Sequence, residues 1–148
     1  MKTKIEEIIH AKGSEVVTLN PKDKVSQALG AMVEHNIGSV LVVSEEGKLS
    51  GIFTERDFLN LSHRRGLQIK DSPLESVMTT NLIIGFPDDG VNYTLRVMTQ
   101  NKIRHLPIVD GDEIKGIVSI GDLVKSQLKD KEFEIHYLTD YIMGKYPR

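Results

Sequence analysis

Gly51-Ile52-Phe53-Thr54-Glu55-Arg56-Asp57 returns 65 residues later as Gly116-Ile117-Val118-Ser119-Ile120-Gly121-Asp122. Upstream of each word the match continues at a spacing of 66, with Pro21, Asp23, Val25, Leu29, Met32, Ile37 and Val43 answering to Pro87, Asp89, Val91, Leu95, Met98, Ile103 and Val109. The one-residue slip falls where Ser44-Glu45-Glu46-Gly47 shortens to Asp110-Gly111-Asp112, a turn composition that absorbs a deletion. Coherent correspondence over so long a stretch marks an internal duplication, and a repeat of this kind governs the fold.

Each copy reads strand, helix, strand, strand, helix. In the first, Val16-Val17-Thr18-Leu19 is a short β-rich run stopped by Asn20-Pro21. Val25, Ala28, Leu29, Met32 and Val33 fall at i, i+3, i+4, i+7 and i+8, an amphipathic helical stripe. Val40 to Val43 is a continuous apolar run, as in a strand covered on both faces. Leu49 to Phe53 gives the next strand and Glu55 to about Arg64 a helix. The second copy predicts strands over 82–86, 106–109 and 114–118 and helices over 91–101 and 122–128. Gly66 to Lys70 reads as a linker, and Ser72-Pro73-Leu74-Glu75 as the capped start of a short helix ending near Met78. An amino-terminal helix carries Ile5, Ile8 and Ile9; a carboxy-terminal one carries Phe133, Tyr137, Leu138, Tyr141 and Ile142, ended by Gly144. The expected class is α/β (α+β): two tandem β-α-β-β-α repeats related by a pseudo-twofold, divided as 1–66 and 67–148. A single repeat would be too small to bury an adequate core, so the two are expected to pack as one domain.

Composition narrows the function. The 148 residues include 19 Lys and Arg against 21 Asp and Glu, a net charge of −2, which argues against general nucleic-acid or anionic-membrane binding. With no cysteine there are no disulfides, thiolate metal sites or thiol nucleophiles. The charged start and the lack of a long apolar run predict a soluble, cytoplasmic protein with no membrane association. His10, His35, His63, His105 and His136 lack metal-ligand spacing, so no metal is expected.

The repeated words sit where a strand hands over to a helix. A Ser or Thr followed three residues on by an acid is a capping box, and capping alone is the plainer reading. The same geometry suits a ligand. A helix amino terminus favours an anion, Thr54 or Ser119 can donate to a phosphate oxygen, and Asp57 or Asp122 can accept from two vicinal hydroxyls. Gly51 and Gly116 would let a ligand approach the backbone.

A strand-helix-strand-strand-helix unit in tandem, each copy ending in Gly-Ile-h-[Ser/Thr]-x-x-Asp, closely resembles the CBS domain (the cystathionine-β-synthase type module), two of which form a Bateman module. The resemblance spans about Val16–Asn60 and Val77–Leu128. Thr54-Glu55-Arg56-Asp57, Ile103-Arg104-His105-Leu106-Pro107-Ile108-Val109-Asp110 and Val118-Ser119-Ile120-Gly121-Asp122 are similar to words in small stand-alone CBS-pair proteins. It implies a non-catalytic regulatory module that binds an adenosyl ligand (AMP, ADP, ATP, NAD(H) or S-adenosylmethionine) in clefts between the repeats. Such a module would use no catalytic cofactor, form a disk-like homodimer, and signal energy or redox state to a separate regulated protein. On this chain it implies Asp57 and Asp122 as ribose anchors, with Thr54 and Ser119 near phosphate or ribose. Adenine would lie near Thr18, Gly38, Ser39 and Val40, or Leu106 and Pro107, with Arg104 and His105 on phosphate. The copies differ: Arg56 stands where the second has Gly121, and Arg104-His105 where the first has Gly38-Ser39, so the two sites are expected to differ in ligand, affinity or occupancy. The competing readings are a protein-interaction adaptor with vestigial sites and a nucleotide hydrolase, for which Asp57, Asp122 and His105 are the only nominees.

Overall fold

Val40, Leu41 and Val42 form the apolar run of the first copy, and such a run is stable only when covered on both faces. The computed structural model, which describes residues 3–13 and 16–130, supplies that cover. Its elements are α1 (Ile5–Lys12), β1 (Thr18–Leu19), α2 (Val25–His35), β2 (Ser39–Val43), β3 (Leu49–Thr54), α3 (Glu55–Arg65), α4 (Val91–Gln100), β4 (His105–Asp110), β5 (Glu113–Ser119) and α5 (Ile120–Asp130). Two 3₁₀ turns, Leu67–Asp71 and Leu74–Ser76, follow α3. The class is mixed α/β, as the pattern predicts; the carboxy-terminal helix expected around Phe133 to Gly144 lies outside the described residues.

The chain divides into two compact units. The first, residues 16–83 with 111–114, is built on β2, which pairs in parallel with β1 and antiparallel with β3. α2 sets Val25, Ala28 and Met32 into a core with Val40, Val42, Phe53, Leu61, Ile69 and Leu74. Phe53 is completely buried, and a side chain of that size removes enough apolar surface from water to contribute roughly 3 kcal/mol. The stripe is narrower than the sequence implies: Val33 is 83% exposed.

The second unit, residues 3–13, 84–110 and 115–130 of the described chain, has the two-stranded sheet β4-β5 with α4, α5 and α1. Leu106, Ile108, Val118, Met98 and Leu123 are buried in it. The strand expected over 82–86 is absent as such and shrinks to one parallel bridge between Gly85 and Ile108. Gly85 stands where the first copy has Leu19, and a Cβ there would come within 2.8 Å of Leu106 Cδ2. Glycine without a side chain to pack makes a poor strand residue, so the bridge does not extend.

Each unit is closed by a leader segment, and the leaders are exchanged along the chain. The Leu74 N–H donates to the Asp23 carbonyl (2.8 Å), Glu75 to Pro21 (2.9 Å), and Val25 to Ser72 (2.9 Å). In the second unit Ile5 donates to Asp89 (2.9 Å), Glu6 to Pro87 (2.8 Å), and Val91 to Thr3 (3.2 Å). The division at residues 66 and 67 drawn from sequence assigns α1 to the first repeat and the 72–78 segment to the second; their hydrogen bonds run the other way. The docking of the 72–78 segment corrects the capped helix expected at Ser72-Pro73-Leu74-Glu75. Its backbone is held by the Pro21–Val25 turn, so only a 3₁₀ turn forms and no side chain caps it.

The leaders explain the two repeated glycines. A Cβ on Gly51 would lie 2.6 Å from Met78 Sδ and 2.9 Å from the Thr79 carbonyl oxygen; one on Gly116 would lie 2.7 Å from Ile9 Cδ1. At these positions protein, and not a ligand, occupies the space that the missing side chain leaves, which corrects the expectation that they open the backbone to a ligand. Gly51→Ala should destabilise the protein by about 1–3 kcal/mol, because the Thr79 carbonyl is backbone and cannot rotate away. Urea unfolding measures this, and a variant within about 0.5 kcal/mol of the parent would contradict the packing account.

Candidate functional site

Both repeated words form the capping box that their spacing allows. In the first unit Thr54 ends β3, and the Asp57 N–H donates to Thr54 Oγ1 (3.1 Å) while the Thr54 N–H donates to Asp57 Oδ2 (3.0 Å). In the second, Asp122 N–H donates to Ser119 Oγ (3.1 Å) and Ser119 N–H to Asp122 Oδ2 (2.8 Å). Each box satisfies helix-end donors and fixes the carboxylate rotamer. The backbone bond of each box, and the Lys12 bond at the second, go to Oδ2 of a half-buried carboxylate at a helix amino terminus.

The strand registers gather the other sequence-predicted residues around the boxes, unit by unit. In the first unit Ser39 lies opposite Thr54 and Val40 opposite Phe53; Thr18 on β1 lies opposite Leu41. The Glu55 N–H donates to the Gly38 carbonyl (3.0 Å), which ties the start of α3 to the start of β2. Ser39 and Val40 are buried, whereas Thr18 and Arg56 are exposed. In the second unit the equivalent bond runs from Ile120 N–H to the Arg104 carbonyl (3.0 Å). It brings exposed Arg104, half-buried His105 and buried Leu106 and Pro107 beside Ser119 and Asp122.

One residue that sequence reading did not single out stands at the second box. Lys12, at the end of α1, donates from Nζ to Asp122 Oδ2 (2.7 Å) and to the Ile117 carbonyl (2.9 Å). The first unit meets the equivalent carbonyl of Ile52 with the neutral Thr79 N–H (3.0 Å). The two boxes therefore differ in charge. Burial alone would push the Asp122 carboxyl up, but the Lys12 ammonium and the Ser119 hydrogen bonds outweigh it and hold the carboxyl below its ordinary value. Lys12 lies outside the stretches that match at spacings of 65 and 66, so the offsets that revealed the other site residues could not reveal it.

The comparisons agree with this architecture. The CBS domain family matches residues 5–64 and 74–129, and the chain belongs to that family as a tandem pair of CBS repeats. It is 33% identical over 152 aligned residues to the "CBS domain-containing protein CBSX3, mitochondrial" of Arabidopsis thaliana, covering 97% of this chain and 74% of that protein. Among solved structures it is similar to the CBS-domain containing protein ATU1752 from Agrobacterium tumefaciens, with a TM-score of 0.82, 31% identity, and coverage of 86% of this chain and 95% of that one. It is also similar to the CBS domain pair of protein MJ0100, solved in complex with 5′-methylthioadenosine and S-adenosyl-L-methionine. That likeness has a TM-score of 0.76, 26% identity, and coverage of 89% and 99%. CBS-pair proteins are in general regulatory and not catalytic.

The Asp122 carboxyl has a lower value in the folded chain than when unfolded. Its contribution to stability is thus complete above about pH 4 and is lost as pH falls through the folded value. Lys12→Met removes the ammonium and leaves burial opposed only by the Ser119 hydrogen bonds, so the Asp122 carboxyl should then titrate at higher pH than in the parent. Side-chain carboxyl NMR follows it directly, and an unmoved titration would show that Lys12 is not the cause.

Proposed function

We propose that the chain is a non-catalytic sensor that binds an adenine nucleotide or related adenosyl ligand, of the AMP, ATP or NAD(H) type, at the hydroxyl–carboxylate boxes of its repeats. It passes that signal, as a homodimer in the cytoplasm, to a separate regulated protein. The observation that carries the reading is the half-buried carboxylate of Asp57 and of Asp122 at a helix amino terminus, each oriented by a helix cap that takes its Oδ2. A ribose offers two adjacent hydroxyl donors, and a pre-oriented carboxylate accepts from them without losing its cap. The adenosyl compounds bound by the MJ0100 domain pair support the ligand class. Arg104, exposed where it leaves the start of β4, suits a phosphate through its planar fork. Thr54 and Ser119 hold the anchors, and Gly38, Ser39, Val40, Leu106 and Pro107 give the apolar and backbone surroundings for a base. Ligand binding would act on the partner by favouring one arrangement of the protein over another, to the extent of its differential affinity.

Calorimetric titration of the ligand-stripped protein with AMP, ATP, NAD⁺, NADH and S-adenosylmethionine tests the reading. Micromolar binding by one of them is expected, about −8 kcal/mol in total. Asp122→Ala or Asp57→Ala should weaken binding about tenfold or more at its own box with the fold intact by circular dichroism, since a hydrogen bond to a charged group contributes about 1.5–3 kcal/mol. Silence from all five ligands in folded protein would leave both aspartates as helix caps and transfer the proposal to a protein-binding adaptor.

A further inference from the structure

A groove of about 350 Å³ runs between α1 and α5 in the second unit. Asp122, Lys125, Ser126 and Lys129 stand along its α5 wall at steps of three, four and seven residues from Asp122, hence on one helical face, and Lys12 lines it from α1. The matching positions of α3 in the first copy are Asn60, Leu61 and Arg64, with Leu61 buried in the core, so this polar helix face has no counterpart there. Its charge is unbalanced. Lys12 and Asp122 neutralise one another, and Glu7 on the facing wall, which accepts from the Lys4 N–H (3.4 Å), keeps its charge, so Lys125 and Lys129 leave the lining one unit positive. Lys125 and Lys129 have no carboxylate partner among the described residues.

We propose that this groove is an oligophosphate subsite. Resting on the reading of Asp122 as ribose anchor, the phosphate chain of a nucleotide held at Asp122 Oδ1 runs along α5 to Lys125 and Lys129, with Ser126 Oγ as a neutral donor. Seven helical residues span about 10 Å, room for a chain of two or three phosphates. Lys12 keeps the anchor ionised and adds positive charge where that chain begins. The second repeat is thereby selective for nucleoside di- and triphosphates over uncharged adenosine or cationic S-adenosylmethionine, and the first repeat is not.

Calorimetry on the full chain with ATP, adenosine and inorganic tripolyphosphate, comparing the parent with the Lys125→Ala/Lys129→Ala double variant, tests this. Both lysines are exposed and their removal leaves the core untouched. The parent should bind ATP at least tenfold more tightly than adenosine; in the double variant the gap should narrow at least threefold, Arg104 accounting for what remains, with adenosine affinity unchanged. Equal affinity for ATP and adenosine in the parent, or a gap undiminished by the double substitution, would overturn the proposal. If no nucleoside binds but tripolyphosphate binds the parent and not the double variant, the groove stands as an oligophosphate site and the adenosyl reading fails. Tripolyphosphate binding that persists in the double variant overturns the groove itself.

Discussion

The carbonyls of Pro21 and Asp23, and of Pro87 and Asp89, are the points on which the rest of this fold depends. They lie in the turn before a helix, where backbone acceptors have no partner of their own and must find one or stay hydrated. Each pair receives two N–H donors from a leader segment, Leu74 and Glu75 in one unit and Ile5 and Glu6 in the other. The aspartates also fold their carboxylates back, accepting from Asn20 N–H (2.8 Å) and Phe86 N–H (2.9 Å), which holds the turn in shape to receive the leader. Once docked, the leader brings Leu74 or Ile5, both completely buried, into the core, and sets Met78 or Ile9 over the glycine that opens the strand-to-helix word. The site word is thus placed by a chain of contacts that starts at a turn.

The capping box and the ligand anchor are usually treated as rival explanations of the same residues. Here they divide one carboxylate between them. Oδ2 belongs to the helix end and fixes where Oδ1 points; a carboxylate free to rotate would lose entropy on meeting a ribose, and this one has already lost it to the cap. What separates the two copies is the third partner. A backbone amide in the first and an ammonium in the second give two boxes of the same shape and different electrostatics.

The duplication, the class of fold and most elements were legible because they rest on period and repetition: the stripe at Val25, Ala28 and Met32, the run Val40 to Val42, and the paired words ending in Asp57 and Asp122. The lost strand at Gly85 was not, because an apolar neighbourhood hides the one residue without a side chain. The leaders were legible in principle. Thr3, Ile5, Glu6, Ile8 and Ile9 answer to Ser72, Leu74, Glu75, Val77 and Met78 at a spacing of 69, a third offset that a search at 65 and 66 passes over. Lys12 has no such signal, since its role is set by where α1 ends against β5 and α5, and a lone lysine at a helix end otherwise reads as complementing the dipole.

Exchanged leaders also set an order of assembly. The first unit can be completed early, as its closing segment follows it directly in the chain. Helix α1 precedes the first unit and the rest of the second in the chain, yet the turn that receives it lies more than 80 residues downstream, at Pro87 and Asp89. Until then Ile5 and Ile8 have no core to enter, and the loop to be closed is the longer of the two leader dockings. Long-range closure of this kind slows folding much more than it weakens the finished structure. Docking of α1 therefore waits for that turn, and the carboxylate at Asp122 acquires its ammonium neighbour only when α1 has docked.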